Sequence, residues 1–451
     1  MELQARRTRR ERFRYRHNFT FGVANGALLL LGDTFIHPTL VLVVFVSQLT
    51  TSNLLIGLVP ALSVGLWFLP QFLAAALVQG RRRQLPWAVW ASIVRAAAVG
   101  VLGAATAVIG EGNPALLLTV FVLAYACYNL AAGFAFVPLV ELSARVIPGD
   151  RRGLFFSQRN FWGGVLAFLA GFLISRVLTD SAAPLGSTFG VLFFAAFAVL
   201  SLAAYTTAQM SELPLRRPVR RPPILFWIQQ VPELLGQPPL QRFLVYRMLL
   251  ALGTIADPFF VVYAQEVLGA PPAIAGLYLS AMAIARFASN LFWGRLADRW
   301  GNRVALQSAA LIRLLMPLLA LALPPLLSWD MLAARIPGGD SSIHYAYSLV
   351  FVAYGIALSG QTLANLTYAL ELAGPDARPA FVGLINTMLG LVSFIPLIGG
   401  SLVDRFGFEF VFLVALLIAL ASVLASGLLP QTRGAPGLYR LATGWRRSRA
   451  R

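Results

Sequence analysis

Residues 294–303 read GRLADRWGNR, a charged stretch that joins the apolar segments 272–293 and 304–327. A transmembrane helix needs about 20 mainly apolar residues, so each flanking segment is long enough to cross a bilayer. The rest of the chain has the same character. Of its 451 residues, 58% are hydrophobic and 12% are charged, whereas soluble domains average about 45–50% and about 25%. The composition therefore predicts a membrane protein.

The apolar segments predict an all-α membrane protein with twelve transmembrane helices arranged as two six-helix bundles. Reading about 20 residues per crossing places the spans at 19–48, 53–79, 86–109, 114–140, 154–178, 187–207, 243–267, 272–293, 304–327, 345–371, 380–400 and 408–429. The same reading gives a basic tail (1–18), a first bundle (19–207), a linker (208–241), a second bundle (242–430) and a second basic tail (431–451).

The charge distribution indicates orientation rather than nucleic-acid binding. The net charge is +18 and all 36 basic residues are Arg, but they lie in short runs between apolar segments. Most of these runs share one side with both termini, which the positive-inside rule places in the cytoplasm. We therefore predict a multi-pass protein of the bacterial inner membrane that contacts the lipid bilayer and no nucleic acid.

The sequence favours neither an enzyme nor a metal protein. The lack of Lys removes any Walker-type phosphate loop, and no span carries a known catalytic motif. One Cys and three His make an intrachain disulfide impossible and disfavour a metal site built from thiolates or histidines. Residues 224–235 of the linker fit either a short amphipathic surface helix or a plain connection.

The two halves of the chain repeat each other, with offsets between 218 and 230 residues. A duplication of this size is typical of transporters. The alignment pairs Arg95 with Arg313, His37 with Asp257, Glu141 with Glu371, Pro148 with Pro375, Arg152 with Arg378, and Asn160 with Asn386.

Five residues of the 294–303 loop have a physical reason to be there. Gly294 and Gly301 suit close packing and a tight turn, and Asp298 suits a helix cap or a pair with Arg299 or Arg303. The loop resembles the G-x-L-A-D-R-x-G-R-K motif of the major facilitator superfamily. The resemblance implies the six-plus-six architecture, a central cavity lined by spans 1, 4, 7 and 10, and a monomer. The first-half copy of the loop, 80–84, has no Asp.

Three ionisable residues lie deep in the predicted cavity spans. Asp33 and His37 share one face of span 1, and Asp257 lies in span 7. Because charges at bilayer depth are costly, each is a candidate for function, and we hypothesise that they couple transport to protons. The alternatives are that Asp33 bonds opened backbone near Pro38 and that Asp257 caps the bend at Pro258.

Polar side chains on three further spans are candidates for solute binding. On span 10 they form one stripe that includes Gln361 and Asn365, and span 4 carries Asn129. The alternative is hydrogen bonding between helices of one bundle. Arg286 in span 8 fits an anion contact, a gate or a structural ion pair. Arg95, Arg313 and Arg247 are expected to reach the cytoplasmic interface with their long side chains.

We therefore expect a secondary transporter that moves a small-molecule organic solute by alternating access, without a cofactor. The alternative is a non-transporting assembly factor or sensor with the same fold. The predicted cytoplasmic gate consists of the 294–303 loop residues with Glu141, Arg152, Glu371 and Arg378.

Overall fold

The computed structural model describes residues 2–78, 81–148, 151–179, 184–212, 235–327, 341–372 and 378–431. Within these ranges every regular element is helical. The α-helices are α1 (Glu2–Phe35), α2 (Val41–Ser47), α3 (Asn53–Val78), α4 (Leu85–Ile109), α5 (Pro114–Val146), α6 (Arg152–Val177), α7 (Leu185–Ala208), α8 (Pro238–Leu252), α9 (Phe259–Glu266), α10 (Ile274–Trp300), α11 (Asn302–Leu327), α12 (Ser341–Leu372), α13 (Arg378–Val392), α14 (Ile395–Phe406) and α15 (Phe408–Gly427).

The helices correspond to the predicted spans, and the all-α membrane fold is confirmed. In the described part of the chain, eleven stretches are long and apolar enough to cross a membrane. The predicted first span is divided between α1 and the seven-residue α2, and it brings the number to twelve. Span 7 consists of α8, a short 3-10 turn (Gly253–Ala256) and α9, and span 11 of α13 and α14.

The chain forms two compact units. The first comprises Met1–Arg221 with Pro271–Ser280, and the second comprises Pro222–Ala270 with Ala281–Arg451. Of the predicted linker and its surface helix, residues 213–234 lie outside the described residues, as does the tail after 431. The linker boundaries therefore remain a prediction.

Both units use the same helix packing. In the first, α4 packs against α5 and α7, and α1 packs against α6 and α7. In the second, α11 packs against α12 and α15, and α8 packs against α13 and α15. Spans 3 and 9 thus occupy matching positions in their units, as a duplication requires.

Aromatic clusters hold the two short half-helices in place. All of α2 from Val41 to Val46 is buried, and the Phe45 ring lies 5.1 Å from the rings of Phe189 and Phe193 on α7. In the second unit the Tyr263 ring of α9 lies 5.3 Å from that of Phe412 on α15. Burying such large rings offsets the weakness of helices this short.

Several spans begin and end where the sequence supplies a specific signal. Asn113 caps α5 by accepting a hydrogen bond from the Leu116 amide at 3.0 Å. Gly407 separates α14 from α15 with a φ of 86°, a conformation that other residues adopt only with strain. Large apolar side chains such as Trp90 and Leu123 are exposed on the spans, as expected for a surface that faces lipid.

Candidate functional site: two matching ion-pair triads

The first span of the N-terminal half is interrupted at Pro38. α1 ends at Phe35 and α2 begins at Val41, because proline lacks an amide hydrogen and its ring blocks the preceding turn. The carbonyl of His37 accepts hydrogen bonds from the amides of Val41 and Leu42, each at 3.0 Å. The interruption fixes the last turn of α1 beside the neighbouring helices.

Asp33 lies in that last turn and is bound by two residues from other helices. Arg95 of α4 forms an ion pair with the Asp33 carboxylate, and Tyr128 of α5 donates its hydroxyl to the same oxygen. Arg95 also donates to the Tyr128 hydroxyl, and its guanidinium lies 4.7 Å from the centre of the Tyr128 ring. We call Asp33, Arg95 and Tyr128 the first triad.

The second half contains the same arrangement at its own helix interruption. Asp257 follows the 3-10 turn that ends α8, immediately before Pro258. Arg313 of α11 forms an ion pair with Asp257, and Tyr354 of α12 donates its hydroxyl to the other carboxylate oxygen at 3.1 Å. The Arg313 guanidinium lies 5.0 Å from the centre of the Tyr354 ring. We call Asp257, Arg313 and Tyr354 the second triad.

The triads add a correspondence to the alignment of the two halves. Asp257 binds its Arg and its Tyr just as Asp33 does, so by its contacts it corresponds to Asp33. By its place directly before a proline it corresponds to His37, as the repeat predicts. The His37 ring lies 3.3 Å from the hydroxyl of Thr39 within the interruption.

Arg95 and Arg313 do not reach the membrane surface. Their exposed fractions are 9% and 7%, and each is held by a carboxylate and a phenol inside its half. The expectation that these two side chains extend to the interface is wrong. A buried carboxylate within reach attracts a guanidinium more strongly than a distant water layer does.

The two carboxylates differ in exposure. The Asp33 side chain is 46% exposed, whereas that of Asp257 is 4% exposed. The second triad is also reinforced, because Arg313 lies 3.4 Å from the carbonyl of Gly253 in the 3-10 turn. The first triad is therefore open on one side and the second is closed.

Additional arginines lie close to each triad. Arg159 of α6 lies against Gly26 of α1 and within electrostatic reach of Asp33 and Arg95. Arg286 of α10 lies within electrostatic reach of Tyr354. Arg159 is not among the residues predicted from the sequence, although its depth in span 5 was a sufficient signal. No group of three His, Cys, Asp or Glu suitable for a metal occurs in the described ranges.

The polar stripe on α12 serves two purposes. Its end members bond within the half, since Tyr354 binds Asp257 and Tyr368 donates to the carbonyl of Pro430 at 2.9 Å. Its middle members keep buried polar atoms without a partner among the described residues, namely Nε2 of Gln361 and Oδ1 of Asn365.

Asn129 lies on the corresponding helix of the first half. It is buried, and its amide donates to the carbonyl of Tyr125 on its own helix at 2.8 Å. The ring of Tyr125 stacks on that of Tyr128 at 5.9 Å. Asn129 directly follows Tyr128 of the first triad along α5, and it remains a predicted solute-binding residue.

At the predicted cytoplasmic end of the first half, Glu212 connects the segment after α7 to the start of α4 and to α5. Its carboxylate accepts hydrogen bonds from the amides of Gln84 and Leu85 at 2.7–2.8 Å, where α4 begins. It also pairs with Arg145 of α5 at 3.0 Å, and Arg145 pairs with Glu141 at 3.0 Å. Glu212 was missed because its partners lie more than 60 residues away.

The corresponding end of the second half is joined more simply. Asn302, the first residue of α11, donates to Glu371 of α12 at 2.6 Å and accepts from Thr367 at 2.8 Å. Arg303 donates to the carbonyl of Gly427 at 2.7 Å. These bonds tie the start of α11 to the ends of α12 and α15.

The predicted loop 294–303 is mostly helical, because α10 runs to Trp300 and α11 begins at Asn302, and one part of its interpretation agrees with the structure. Gly301 has a φ of 88°, which confirms the tight turn. At Gly294 a Cβ would meet no described atom within 4 Å, so the expected close packing is wrong there. Asp298 and Arg299 are exposed. Outside the described residues lie the side chains of two predicted gate members, Arg152 and Arg378.

Comparison with known proteins points to one family. Residues 242–448 match the model of the Major Facilitator Superfamily. No curated protein matches the sequence.

Solved transporter structures share the fold over almost the whole chain. A bacterial homologue of the iron transporter ferroportin, in an inward-facing state, aligns with a TM-score of 0.67 at 14% identity and covers 91% of this chain and 98% of its own. The nucleoside transporter NupG aligns with a TM-score of 0.67 at 13% identity, covering 91% and 99%. A D-xylose–proton symporter aligns with a TM-score of 0.64 at 18% identity, covering 93% and 98%.

Proposed function

We propose that the chain, whose residues 242–448 match the model of the Major Facilitator Superfamily, is a secondary transporter that moves a small organic solute by alternating access. The observation that carries this proposal is the pair of matching triads, each beside an interruption in the first span of its half. In transporters built from repeats, interrupted helices supply the solute and ion sites.

Within this proposal, Asp33 is the group that takes up a proton. Its side chain is half exposed, so a proton reaches it without the triad having to unfold. Protonation neutralises the carboxylate and releases the Arg95 guanidinium and the Tyr128 hydroxyl that now face it. Other titratable neighbours are Arg159 on α6, Tyr125 on α5 and His37 beyond the end of α1.

Asp257 has a different role in the proposal. Its carboxylate is almost fully buried and holds α11 and α12 against the 3-10 turn through Arg313 and Tyr354. Separating this pair inside an apolar half is strongly unfavourable. We assign it to the integrity of the second half rather than to proton exchange.

The gate belongs to the same proposal. Glu141 and Glu371 lie at the predicted cytoplasmic ends of α5 and α12, and each is bonded within its own half. The exposed Asp298 and Arg299 in the last turn of α10 are the residues that we expect to change partners as the transporter opens and closes. We place these ends, with both termini, on the cytoplasmic side of the bacterial inner membrane because arginine is concentrated there.

The related structures support transport but leave the cargo open. By their names, one is related to an iron transporter, one carries nucleosides and one carries D-xylose together with protons. Proteins of one fold thus carry solutes of unlike chemistry. The symporter indicates that the fold is compatible with the proton coupling proposed for Asp33.

The test is uptake by the purified protein in liposomes. Radiolabelled sugars, nucleosides, amino acids, organic acids and lipophilic cations are offered in turn, with an internal pH-sensitive dye and with protein-free liposomes as the control. We expect saturable uptake of at least one class, accompanied by a change in internal pH.

Uptake without any pH change would contradict proton coupling but would still support a transport function. Folded protein that neither accumulates nor exchanges any member of the panel would contradict transport and favour the non-transporting assembly factor or sensor.

A further inference from the structure

The spans of the second half contain more positive charge than their carboxylate neutralises. Asp257 is paired with Arg313. Arg247 on α8 and Arg286 on α10 also lie within spans, where each is partly exposed, and neither forms an ion pair with an acidic side chain among the described residues. A charge within a span costs about 2.5–3.5 kcal/mol at the helix centre, so these two arginines need a reason to be there.

Two contacts fix how α8 and α12 face each other. The ring of Phe243 near the start of α8 lies 5.1 Å from the ring of Tyr368 near the end of α12. Beyond the 3-10 turn that follows α8, Asp257 is bonded to Tyr354 of α12. The helices therefore run antiparallel, so residue numbers rise along α8 in the direction in which they fall along α12.

The residues between these two contacts are polar on both helices. Arg247 is one turn beyond Phe243 on the same helix face. Arg247 follows Phe243 by four residues along α8, and Asn365 precedes Tyr368 by three residues along the antiparallel α12. We therefore expect Arg247 and Asn365 to lie at the same height, with Gln361 one turn further along α12. A guanidinium and two amides thus share one layer of the second half, between an aromatic contact and the second triad.

The two amides have unused hydrogen-bonding capacity. Nε2 of Gln361 and Oδ1 of Asn365 are buried and have no partner in the described part of the chain. A buried polar atom without a partner destabilises a protein by about 1–3 kcal/mol. One donor and one acceptor at adjacent turns, beside an uncompensated cation, suit a ligand that supplies a negative charge and hydroxyl groups.

We propose that the solute is an organic anion whose carboxylate or phosphate is bound by Arg247, with Gln361 and Asn365 binding its neighbouring polar groups. A planar guanidinium binds two oxygens of either group at once. Arg286, beside Tyr354 in the same half, gives a second positive charge that attracts the anion. This inference rests on the proposed transport function and narrows its substrate class.

The test compares matched solutes that differ in charge. Glucose, gluconate and glucose 6-phosphate are added separately to the purified full-length protein in detergent at constant ionic strength, and lactate is compared with lactamide. Tryptophan fluorescence follows thermal unfolding. We expect at least one anion to raise the unfolding temperature in a saturable way and its neutral partner to have no effect. Gluconate and glucose 6-phosphate separate a carboxylate from a phosphate preference.

Substitutions then locate the charge contact. Arg247→Gln is expected to weaken binding of the stabilising anion on the order of 10- to 100-fold, and Arg247→Lys to restore part of it. Arg242→Gln is the matched control, because Arg242 lies on the same helix but is exposed. Equal affinity in Arg247→Gln and Arg242→Gln would overturn the proposal.

Asn365→Leu gives a readout that a purely structural role would not produce. It removes a buried acceptor that lacks a partner in the described part of the chain, so the ligand-free protein is expected to unfold at a higher temperature while its affinity for the anion falls. A lower unfolding temperature with unchanged affinity would overturn the assignment of Asn365. Asn365→Leu also tests the proposal if Arg247→Gln fails to fold.

Different results would contradict the anion site and the transport function. Liposome uptake confined to neutral or cationic solutes, or no anion shifting the unfolding temperature, overturns the anion site and leaves the transporter. If anion binding depends on Arg247 but the protein moves no solute, the anion site is supported and the transport function is contradicted.

Discussion

The two triads have the same chemistry in different surroundings. In each half an aspartate beside a helix interruption is bound by an arginine from the third span and a tyrosine from the fourth. In the first half the aspartate side chain is 46% exposed, and in the second it is 4% exposed. The duplication kept the bonding partners and changed the access.

This difference separates structural from functional roles for the same three residue types. A closed ion pair in an apolar interior is hard to break once formed, because removing one partner leaves an uncompensated charge. A half-exposed pair exchanges its partner for water at lower cost. We therefore expect the second triad to contribute stability and the first to respond to protons.

The largest expected effect comes from breaking the closed pair. Replacing Arg313 by Met leaves Asp257 buried without a counter-charge and is expected to lower the free energy of unfolding by about 3–5 kcal/mol. Replacing Arg95 by Met is expected to have a clearly smaller effect because Asp33 is half exposed. Denaturant unfolding of the purified variants in detergent measures both.

The double variant Asp257→Asn with Arg313→Met serves as the control. It removes both charges and is expected to recover most of the lost stability. Equal destabilisation by Arg313→Met and Arg95→Met would show that the difference in exposure has no energetic consequence.

An intermediate effect is expected at the predicted cytoplasmic ends. Glu212 receives two backbone amides and a guanidinium and its side chain is 1% exposed, whereas Glu371 is exposed. Glu212→Ala is expected to lower the free energy of unfolding by about 2–3 kcal/mol, within the range for hydrogen bonds to a charged group. Glu371→Ala should lower it less, and the same denaturant titration compares them. The reverse order would contradict the assigned role of Glu212.

The smallest expected effect comes from the phenol groups. Tyr354→Phe removes a hydrogen bond to a buried carboxylate that keeps its arginine, and is expected to cost about 1–1.5 kcal/mol. Tyr128→Phe removes the same bond at a half-exposed carboxylate, together with the bond that Arg95 donates to the phenol oxygen, and it should still cost less because water replaces the phenol at Asp33. Thermal unfolding of the pair is sufficient to rank them. A larger loss for Tyr128→Phe would mean that the first triad is the more tightly held of the two.

Much of the fold could be predicted from the sequence because lipid imposes simple patterns. Apolar length gave the spans, and the repeat gave the correspondence of Arg95 with Arg313. The same repeat contained the triads. Asp33 with Asp257, Arg95 with Arg313, and Tyr128 with Tyr354 are separated by 224, 218 and 226 residues, all inside the range of offsets found for the other matches.

The rest depends on which helices touch. Aligning Pro38 with Pro258 in the two halves placed His37 opposite Asp257, and only the contacts with arginine and tyrosine show that Asp33 and Asp257 have the same partners. Exposure is equally invisible in the sequence, since it depends on how neighbouring helices cover each carboxylate. The bonds of Glu212 depend on loops that meet from distant parts of the chain.

The most direct test of the account is solute-driven proton movement in liposomes containing Asp33→Asn or Asp257→Asn, with a solute that the wild-type protein transports. We expect Asp33→Asn to keep solute exchange and lose the pH change. Asp257→Asn, in the fraction that folds, should retain both. Persistence of the pH change in Asp33→Asn, or its loss only in folded Asp257→Asn, would contradict the division of roles between the two triads.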